Sequence, residues 1–391
     1  MIAADRAVQR PPDARLLVVD ARGHVSDVPR SRFVELLQPA DLVIANDAAT
    51  LPASLHGVHV RSGAEIEVRL AGQPSLALDP ERASAGPVHA PAVARGGRPG
   101  STLDSGVRDP SAPALTFRAV VFGAGDFHTR TEDRPLPPPL APGDRLSFGG
   151  AFSATVEGFF DHPRLVLLRF DGSPDAVWAG LARHGRPIQY AHVPAPLSLW
   201  DVWTPIAGRP VAFEPPSASF VVDWKSVRAM RRRRIGFATI TLAAGISSTG
   251  DPELDRRLPF DEPYFISEST AAAVSRTHAH GGRIVAVGTT VVRGLEHAAE
   301  REGIVRAGDG VADQRVGPAS RLRIVDAMLS GTHEPGSSHY LMLRAFLDEG
   351  TLAEADAALE SLRYRTHEFG DSVLIERRAG SAAAAWPVKA A

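Results

Sequence analysis

A short apolar run bounded by glycines constrains the fold of this chain more than any other feature. Ile284 to Val287 is apolar and β-branched, which predicts a buried parallel strand. Gly288 ends the run and is followed by Thr289 and Thr290. Apolar residues then recur at helical spacing from Val291 to Ala299. The sequence therefore predicts a strand, a tight turn and a helix in direct succession.

A turn of this kind favours an anionic group. It leaves backbone N–H groups unpaired at a helix N-terminus, where the helix dipole also favours negative charge. Arg293 lies one helical turn beyond Thr289 and Thr290 and could reach the same end. The alternatives are a threonine cap on an ordinary strand–helix unit and a solvated helix arginine. We expect Gly288, Thr289, Thr290 and Arg293 to bind an anion.

The remaining patterns divide the chain into two units. Residues 15–54 and 172–378 mix strands with helices, which predicts an α/β domain with a mixed sheet and flanking helices. Residues 55–171 contain successive alternating strands, most simply a small inserted antiparallel β-barrel. Within it, residues 71–113 are rich in Pro, Gly, Ala and Ser, and we expect a disordered loop.

Composition excludes several kinds of chemistry. The chain has 391 residues and no cysteine, so disulfides, thiolate catalysis and cysteine-ligated zinc are excluded. Its formal net charge of -2 gives no global attraction to nucleic acid or to a membrane. His278 and His280 lack a third ligand nearby, so we expect no metal. We expect a cytoplasmic monomer with flexible tails at residues 1–14 and 379–391.

The irregular segment 191–220 is rich in proline and aromatic residues, which is typical of a binding wall. Glu214 lies in this segment with Trp200 and Trp203, and is a candidate general base. Four consecutive arginines, residues 231–234, close the next predicted helix. They either meet phosphates or only complement the helix dipole in solvent.

Two acidic residues and a histidine near the C-terminal strands are further candidates. His333 follows the predicted strand 321–329 among polar turn residues, and could act as a general acid or base near neutral pH. A structural histidine is the alternative. Asp326 ends the same predicted strand, and Asp371 follows Gly370. Each carboxylate either orients a histidine or binds a hydroxyl, or it caps a loop.

Motifs spread over most of the chain occur in a characteristic order. VAVGTTVVRGLE occupies residues 285–296, DLVIANDAATLPASLHG residues 41–57 and YRTHEFGDSVLI residues 364–375. Between them, residues 309–346 keep the order Gly, Pro, Val-Asp-Ala, His, Pro, Ser, Leu-Met-Leu, Ala-Phe. From about Arg15 to Arg377 the chain resembles the S-adenosylmethionine:tRNA ribosyltransferase-isomerases of queuosine synthesis.

The chain departs from the pattern of this family at several polar positions. Ala48 and Ala49 stand where the family has Thr-Arg, and Ser54 stands in its Ala-Arg-Leu segment. Ser219 and Ala243 stand where the family has histidines. These positions are expected to contact tRNA or the modified base. Two alternatives therefore stay open, a paralogue that acts on a small acceptor and a non-catalytic binding protein.

The resemblance implies a reaction and a role for each candidate residue. The ribosyl part of S-adenosylmethionine, the co-substrate, passes to the aminomethyl group of a 7-deazaguanine in tRNA and rearranges, with loss of adenine and methionine. The turn at Gly288, with Arg293, would hold the methionine carboxylate. The other expected roles are catalytic for His333, Glu214 and Asp326, and substrate-binding for Asn46, Asp47 and Asp371.

Overall fold

A mixed β-sheet forms the centre of the molecule. The computed structural model describes residues 1–73, 115–333 and 337–378, and all statements below refer to these. The strands Leu42–Asn46 and Ile284–Val287 are buried along their whole length, because apolar side chains cover both faces of the sheet. From edge to edge, the nine strands are Gly308–Ala312, Glu262–Ile266, Gly236–Leu242, Leu42–Asn46, Ile284–Val287, Ala327–Gly331, Ser372–Glu376, Arg15–Val19 and Val25–Pro29.

The direction of these strands determines where a site can form. Four central strands run parallel, so their carboxyl ends meet at one edge of the sheet, near Asn46, Leu242, Gly288 and Gly331. The antiparallel strands Glu262–Ile266 and Ser372–Glu376 begin at this same edge. We call it the site edge, because ligands of open α/β sheets bind beyond the carboxyl ends of the strands.

Helices lie between the strands in sequence and flank the sheet. The α-helices are Phe33–Leu36, Pro174–His184, Leu199–Val202, Trp224–Arg232, Pro252–Asp255, Glu268–Ala279, Thr289–Ala298, Ser338–Leu343 and Glu349–Ser361. The 3₁₀ helices are Arg30–Arg32, Thr131–Asp133 and Ser217–Val221. Across the described ranges, no helix combines the length and the apolar character that crossing a membrane requires.

An antiparallel barrel is attached to the sheet. Its six strands are Ser54–His59, Ala64–Gly72, Thr116–Phe122, Arg145–Ser147, Ser153–Phe159 and Leu165–Phe170. Pairing of Val58 with Ser147 and of His59 with Leu146 closes the barrel. The predicted fold class, a mixed α/β sheet with flanking helices and an inserted antiparallel β-barrel, is confirmed.

Three short strand pairs join more distant parts of the chain. Ile2–Ala3 pairs with Arg365–Thr366, Ala49–Thr50 with Pro210–Ala212, and Gly185–Arg186 with the start of the first barrel strand. The sequence predicts a flexible tail over residues 1–14, but this segment contacts the α/β unit through the first of these pairs. In addition, Gln9 Nε2 donates to the carbonyls of Asp201 (2.9 Å) and Trp203 (2.8 Å).

Other predicted segments fall largely outside the described residues. Of the predicted loop 71–113, residues 71 and 72 end a barrel strand and residue 73 follows it, whereas 74–114 are not described. The predicted tail 379–391 also lies outside the described residues. The domain boundaries at residues 54 and 171 remain a prediction.

Candidate active site

The predicted glycine turn lies at the site edge. Gly288 continues the sheet by donating its N–H to Leu329 O (2.8 Å), and then adopts φ 100° and ψ 152°. It is the N-cap of helix Thr289–Ala298 and, having no side chain, forms no side-chain cap. A Cβ built on Gly288 would lie 3.4 Å from Cβ of Ala218. The N-terminus of this ten-residue helix therefore has no capping side chain for its first amides.

Arg293 is bound within the protein. Its side chain is 2% exposed and forms an ion pair with Glu262. The guanidinium also donates to Ala312 O (2.8 Å) and Gln314 O (3.1 Å), and Glu262 Oε1 accepts from Gly245 N (2.9 Å). Arg293 thus connects the helix after the glycine turn to two strands. The guanidinium therefore already has acceptors within the protein. A direct contact between Arg293 and an anion remains a prediction.

Glu214 is a buried carboxyl at the same edge. Its Oε1 accepts from the hydroxyl of Tyr190 and from Ser247 N (3.1 Å). Burial raises the pKa of Glu214 to about 7, the hydrogen bond from Tyr190 opposes this rise, and the charge of Glu368 adds to it. Glu214 therefore changes its protonation state near neutral pH, as a group that both accepts and returns a proton must.

Histidines gather beside this carboxyl. His192 Nε2 lies 2.8 Å from Glu368 Oε2, and the His192 and His367 rings stack with centroids 4.1 Å apart. His333 stacks on His339 at 4.7 Å, and its Nε2 lies 2.9 Å from Ser330 Oγ. Burial, with the neighbouring His339 and His367, holds the pKa of His333 well below its usual range. His333 is therefore neutral at physiological pH.

Asn46 and Asp47 hold the ends of two central strands. The Asn46 side chain donates to Leu242 O (2.9 Å) and accepts from Leu242 N (3.0 Å) and Ala48 N (3.0 Å). Asp47 Oδ1 accepts from Thr241 Oγ1 (2.6 Å). Both residues lie at the site edge, and their side chains bind the neighbouring backbone and Thr241; their substrate-binding role remains a prediction.

The two remaining aspartates have structural contacts. Asp371 is buried at the site edge, where it accepts from Arg15 N (2.9 Å) and Arg365 N (2.8 Å). Asp326 does not end a strand, and this expectation is corrected. Asp326 precedes strand Ala327–Gly331 and lies at the edge of the sheet opposite to Glu214. Its carboxylate accepts from Ile284 N (2.9 Å) and binds Arg377 (2.7 Å), and these contacts hold it outside the strand.

The structure also identifies residues that the sequence analysis did not predict. Tyr190, Glu262 and Glu368 come from separate segments and all lie at the site edge. One signal for Glu262 was present in the sequence. Arg293 lies within the apolar pattern of its helix, so a buried arginine there required a counter-charge. The sequence does not indicate which acidic residue supplies it, because the ion pair spans many residues.

The arrangement supports acid–base chemistry on a ligand that carries an anionic group. The helix N-terminus at Gly288 offers amide donors, Glu214 offers a carboxyl that titrates near neutral pH, and His333 offers a neutral imidazole. Among residues 1–73, 115–333 and 337–378, no group of three or more histidine, aspartate or glutamate side chains is placed to hold a metal ion.

Comparisons with known proteins agree on one family. A family model described as queuosine biosynthesis protein matches residues 1–375. The S-adenosylmethionine:tRNA ribosyltransferase-isomerase of Azoarcus sp. is 32% identical over 374 residues, which cover 93% of this chain and 91% of the relative. The enzyme of the same name from Sorangium cellulosum is 30% identical over 396 residues, 94% of each chain. A solved S-adenosylmethionine tRNA ribosyltransferase from Thermotoga maritima has 21% identity and a TM-score of 0.46, covering 95% of this chain and 96% of that one.

Proposed function

Because the chain belongs to the queuosine biosynthesis protein family, we propose that it is an S-adenosylmethionine-dependent ribosyltransferase-isomerase. Its acceptor would be a 7-aminomethyl-7-deazaguanine in tRNA. The match of the family model over residues 1–375 carries this proposal. The family resemblance predicted from the sequence is thereby confirmed. The cytoplasmic location and the monomeric state expected from the sequence remain predictions.

The glycine turn fits the methionine carboxylate of S-adenosylmethionine. Bound S-adenosylmethionine would supply a sulfonium that acidifies the adjacent carbon and makes methionine a neutral leaving group. The uncapped amides after Gly288 can donate to a carboxylate, and the helix dipole stabilises its charge. Thr289 and Thr290 add hydroxyl donors at the same place. We assign Arg293 a positioning role, since its ion pair with Glu262 holds this helix.

Glu214 is the residue best suited to move a proton in this site. Two donors reach its Oε1, and we assign proton transfer to Oε2. With a pKa of about 7, the carboxylate can take a proton from an acidified carbon and release it afterwards. His333 is neutral and can supply a hydrogen bond to the substrate or to adenine, but no charge.

The departures from the family pattern bear on how the acceptor is held. Ser219 stands where the family has a histidine, and its hydroxyl lies 3.3 Å from Asn46 O. Ala243 is buried next to Glu262 in the sheet, where its N–H donates to Pro263 O (2.9 Å). Neither residue can replace a histidine as a proton carrier, so we assign that role to Glu214, with Tyr190 as the hydrogen-bond donor that stabilises its carboxylate.

The test is release of adenine from S-adenosylmethionine. Purified protein is incubated with S-adenosylmethionine and tRNA that carries the aminomethyl base, and adenine is measured by chromatography. We expect adenine only when this tRNA is present, and none with Glu214→Gln. Release that needs no tRNA would favour a small acceptor instead. Binding of S-adenosylmethionine without release under any condition would favour a non-catalytic binding protein.

A further inference from the structure

One surface helix has an apolar side that packs on the protein and a strongly basic side that faces solvent. Helix Trp224–Arg232 packs its back on the sheet through Val227 and the fully buried Met230. Its exposed residues are Trp224, Lys225, Arg228, Arg231 and Arg232. At 3.6 residues per turn, Trp224, Arg228 and Arg231 form one stripe, and Lys225 and Arg232 lie beside it. We call these five residues the basic face.

The basic face is held rigidly from both ends. Asp223 and Ser226 form a reciprocal cap, in which Ser226 N donates to Asp223 Oδ1 (2.6 Å) and Asp223 N donates to Ser226 Oγ (2.8 Å). At the other end, the Arg233 guanidinium turns inward and donates to the carbonyls of Val34 and Leu37. The four-arginine run therefore divides, because Arg233 anchors the helix whereas Arg231, Arg232 and Arg234 are exposed.

The charges of the basic face are uncompensated. In the described part of the chain, none of Lys225, Arg228, Arg231 and Arg232 forms an ion pair, although the chain as a whole has a net charge of -2. The one acidic residue at the helix, Asp223, is used by the cap. Trp224 is 62% exposed, which is unusual for so large an apolar side chain. Four cations with an exposed indole match a phosphate backbone that carries unstacked bases.

The basic face begins next to the candidate active site. The 3₁₀ helix Ser217–Val221, which precedes it, places Ala218 against the glycine turn at Gly288. The helix then runs away from the site edge, since strand Gly236–Leu242 starts at the opposite edge just beyond it. The basic face thus forms a track of about 13 Å that leads from the site along the outside of the molecule.

We propose that the basic face binds the phosphate backbone of the tRNA acceptor and that Trp224 stacks on one of its unpaired bases. This inference rests on the proposed function, which requires a polynucleotide at the site edge. Lys225, Arg228 and Arg231 would contact successive phosphates. The phosphate backbone would then be bound outside the site, while the reacting base reaches the Gly288 turn. The position of the basic face also explains how tRNA can be held although this chain lacks the family's histidines at Ser219 and Ala243.

The experiment compares two triple variants of the full chain with equal changes in charge. Lys225→Gln/Arg228→Gln/Arg231→Gln removes cations from the basic face. The control, Arg22→Gln/Arg183→Gln/Arg301→Gln, removes three exposed arginines from other elements. Dissociation constants for an unmodified tRNA transcript are measured at several salt concentrations, with Trp224→Ala alongside. Calorimetric binding of S-adenosylmethionine confirms that each variant keeps its site.

The basic-face variant should reduce the slope of log affinity against log salt by about two to three, because each of the three lost phosphate contacts removes about 0.7–0.9. Trp224→Ala should weaken tRNA binding about ten-fold, as loss of one stacked base does. S-adenosylmethionine binding should be unchanged in all variants. Equal tRNA binding by the basic-face and control variants would overturn the inference. If wild-type protein binds tRNA through this face but releases no adenine, the proposed function fails and the inference stands.

Discussion

At the scale of single residues, the hydrogen bond from Tyr190 governs when Glu214 can act as a base. The bond stabilises the carboxylate, and therefore holds the pKa of Glu214 lower than burial alone would. Tyr190→Phe removes the donor, so the pKa of Glu214 should rise. A general base works when deprotonated, and the acid limb of the pH–rate profile for adenine release should move to higher pH by about one to two units.

Tyr264→Phe is the matched control for this prediction. Tyr264 is a buried tyrosine whose hydroxyl lies 2.9 Å from His297 Nδ1 and which is not among the groups that act on Glu214. It should leave the pH–rate profile in place. A profile for Tyr190→Phe that coincides with that of the wild type would remove Glu214 from the proton transfer.

Single residues were predictable from the sequence only where their chemistry was local. Glu214 could be proposed as a base because a carboxylate in an apolar, proline-rich segment is conspicuous. Its donors could not, since Tyr190 and Ser247 belong to segments that only the folded chain brings together. The same holds for Glu368, whose charge reaches Glu214 from near the C-terminus.

At the scale of elements, the glycine turn depends on a backbone conformation that other residues avoid. Gly288 has φ 100° and ψ 152°, a region that is essentially restricted to glycine. Gly288→Ala should reduce the free energy of unfolding by about 1–3 kcal/mol and weaken S-adenosylmethionine binding. Urea denaturation and titration calorimetry measure the two effects. Gly158→Ala, at an ordinary φ and in open space, should change neither by as much.

The helix after this turn is held by a buried ion pair, and breaking one side of it leaves a charge unpaired. Arg293→Met leaves Glu262 without its counter-charge, and should lower the free energy of unfolding by about 3–5 kcal/mol. Arg293→Met/Glu262→Gln removes both charges and should recover part of this loss in urea denaturation. A double variant as unstable as the sum of both single variants would contradict the coupling.

Elements were predictable where their pattern was complete within a few residues. Ile284–Val287 and its glycine turn formed as predicted, because the apolar run has clear ends on both sides. The sequence predicts one strand over residues 321–329 because apolar residues occur on both sides of Asp326. Its strand begins only at Ala327, since Asp326 binds the start of the neighbouring strand and Arg377. Such contacts between strands are not visible in the sequence.

At the scale of the whole molecule, the barrel and the α/β unit share one apolar cluster. Phe213, Ile246 and Phe260 belong to the α/β part, yet pack in the same cluster as the barrel strands. The sequence predicted both units from their strand patterns. It did not predict the shared cluster or the register of the strand pair that closes the barrel, because both depend on contacts between distant residues such as Val58 and Ser147.

This shared cluster predicts that the two units unfold together. Phe213 is fully buried, and its ring meets Phe117 of the barrel edge to face at 6.3 Å. Phe213→Ala should lower the free energy of unfolding by about 3–5 kcal/mol. Phe159→Ala, a barrel phenylalanine that is 37% exposed, should cost much less. In calorimetry, the variant should still show one transition at a lower temperature, because removing the ring weakens the barrel and the sheet alike. Two transitions, only one of which shifts, would show instead that the barrel folds as an independent unit and that the cluster does not couple it to the site edge.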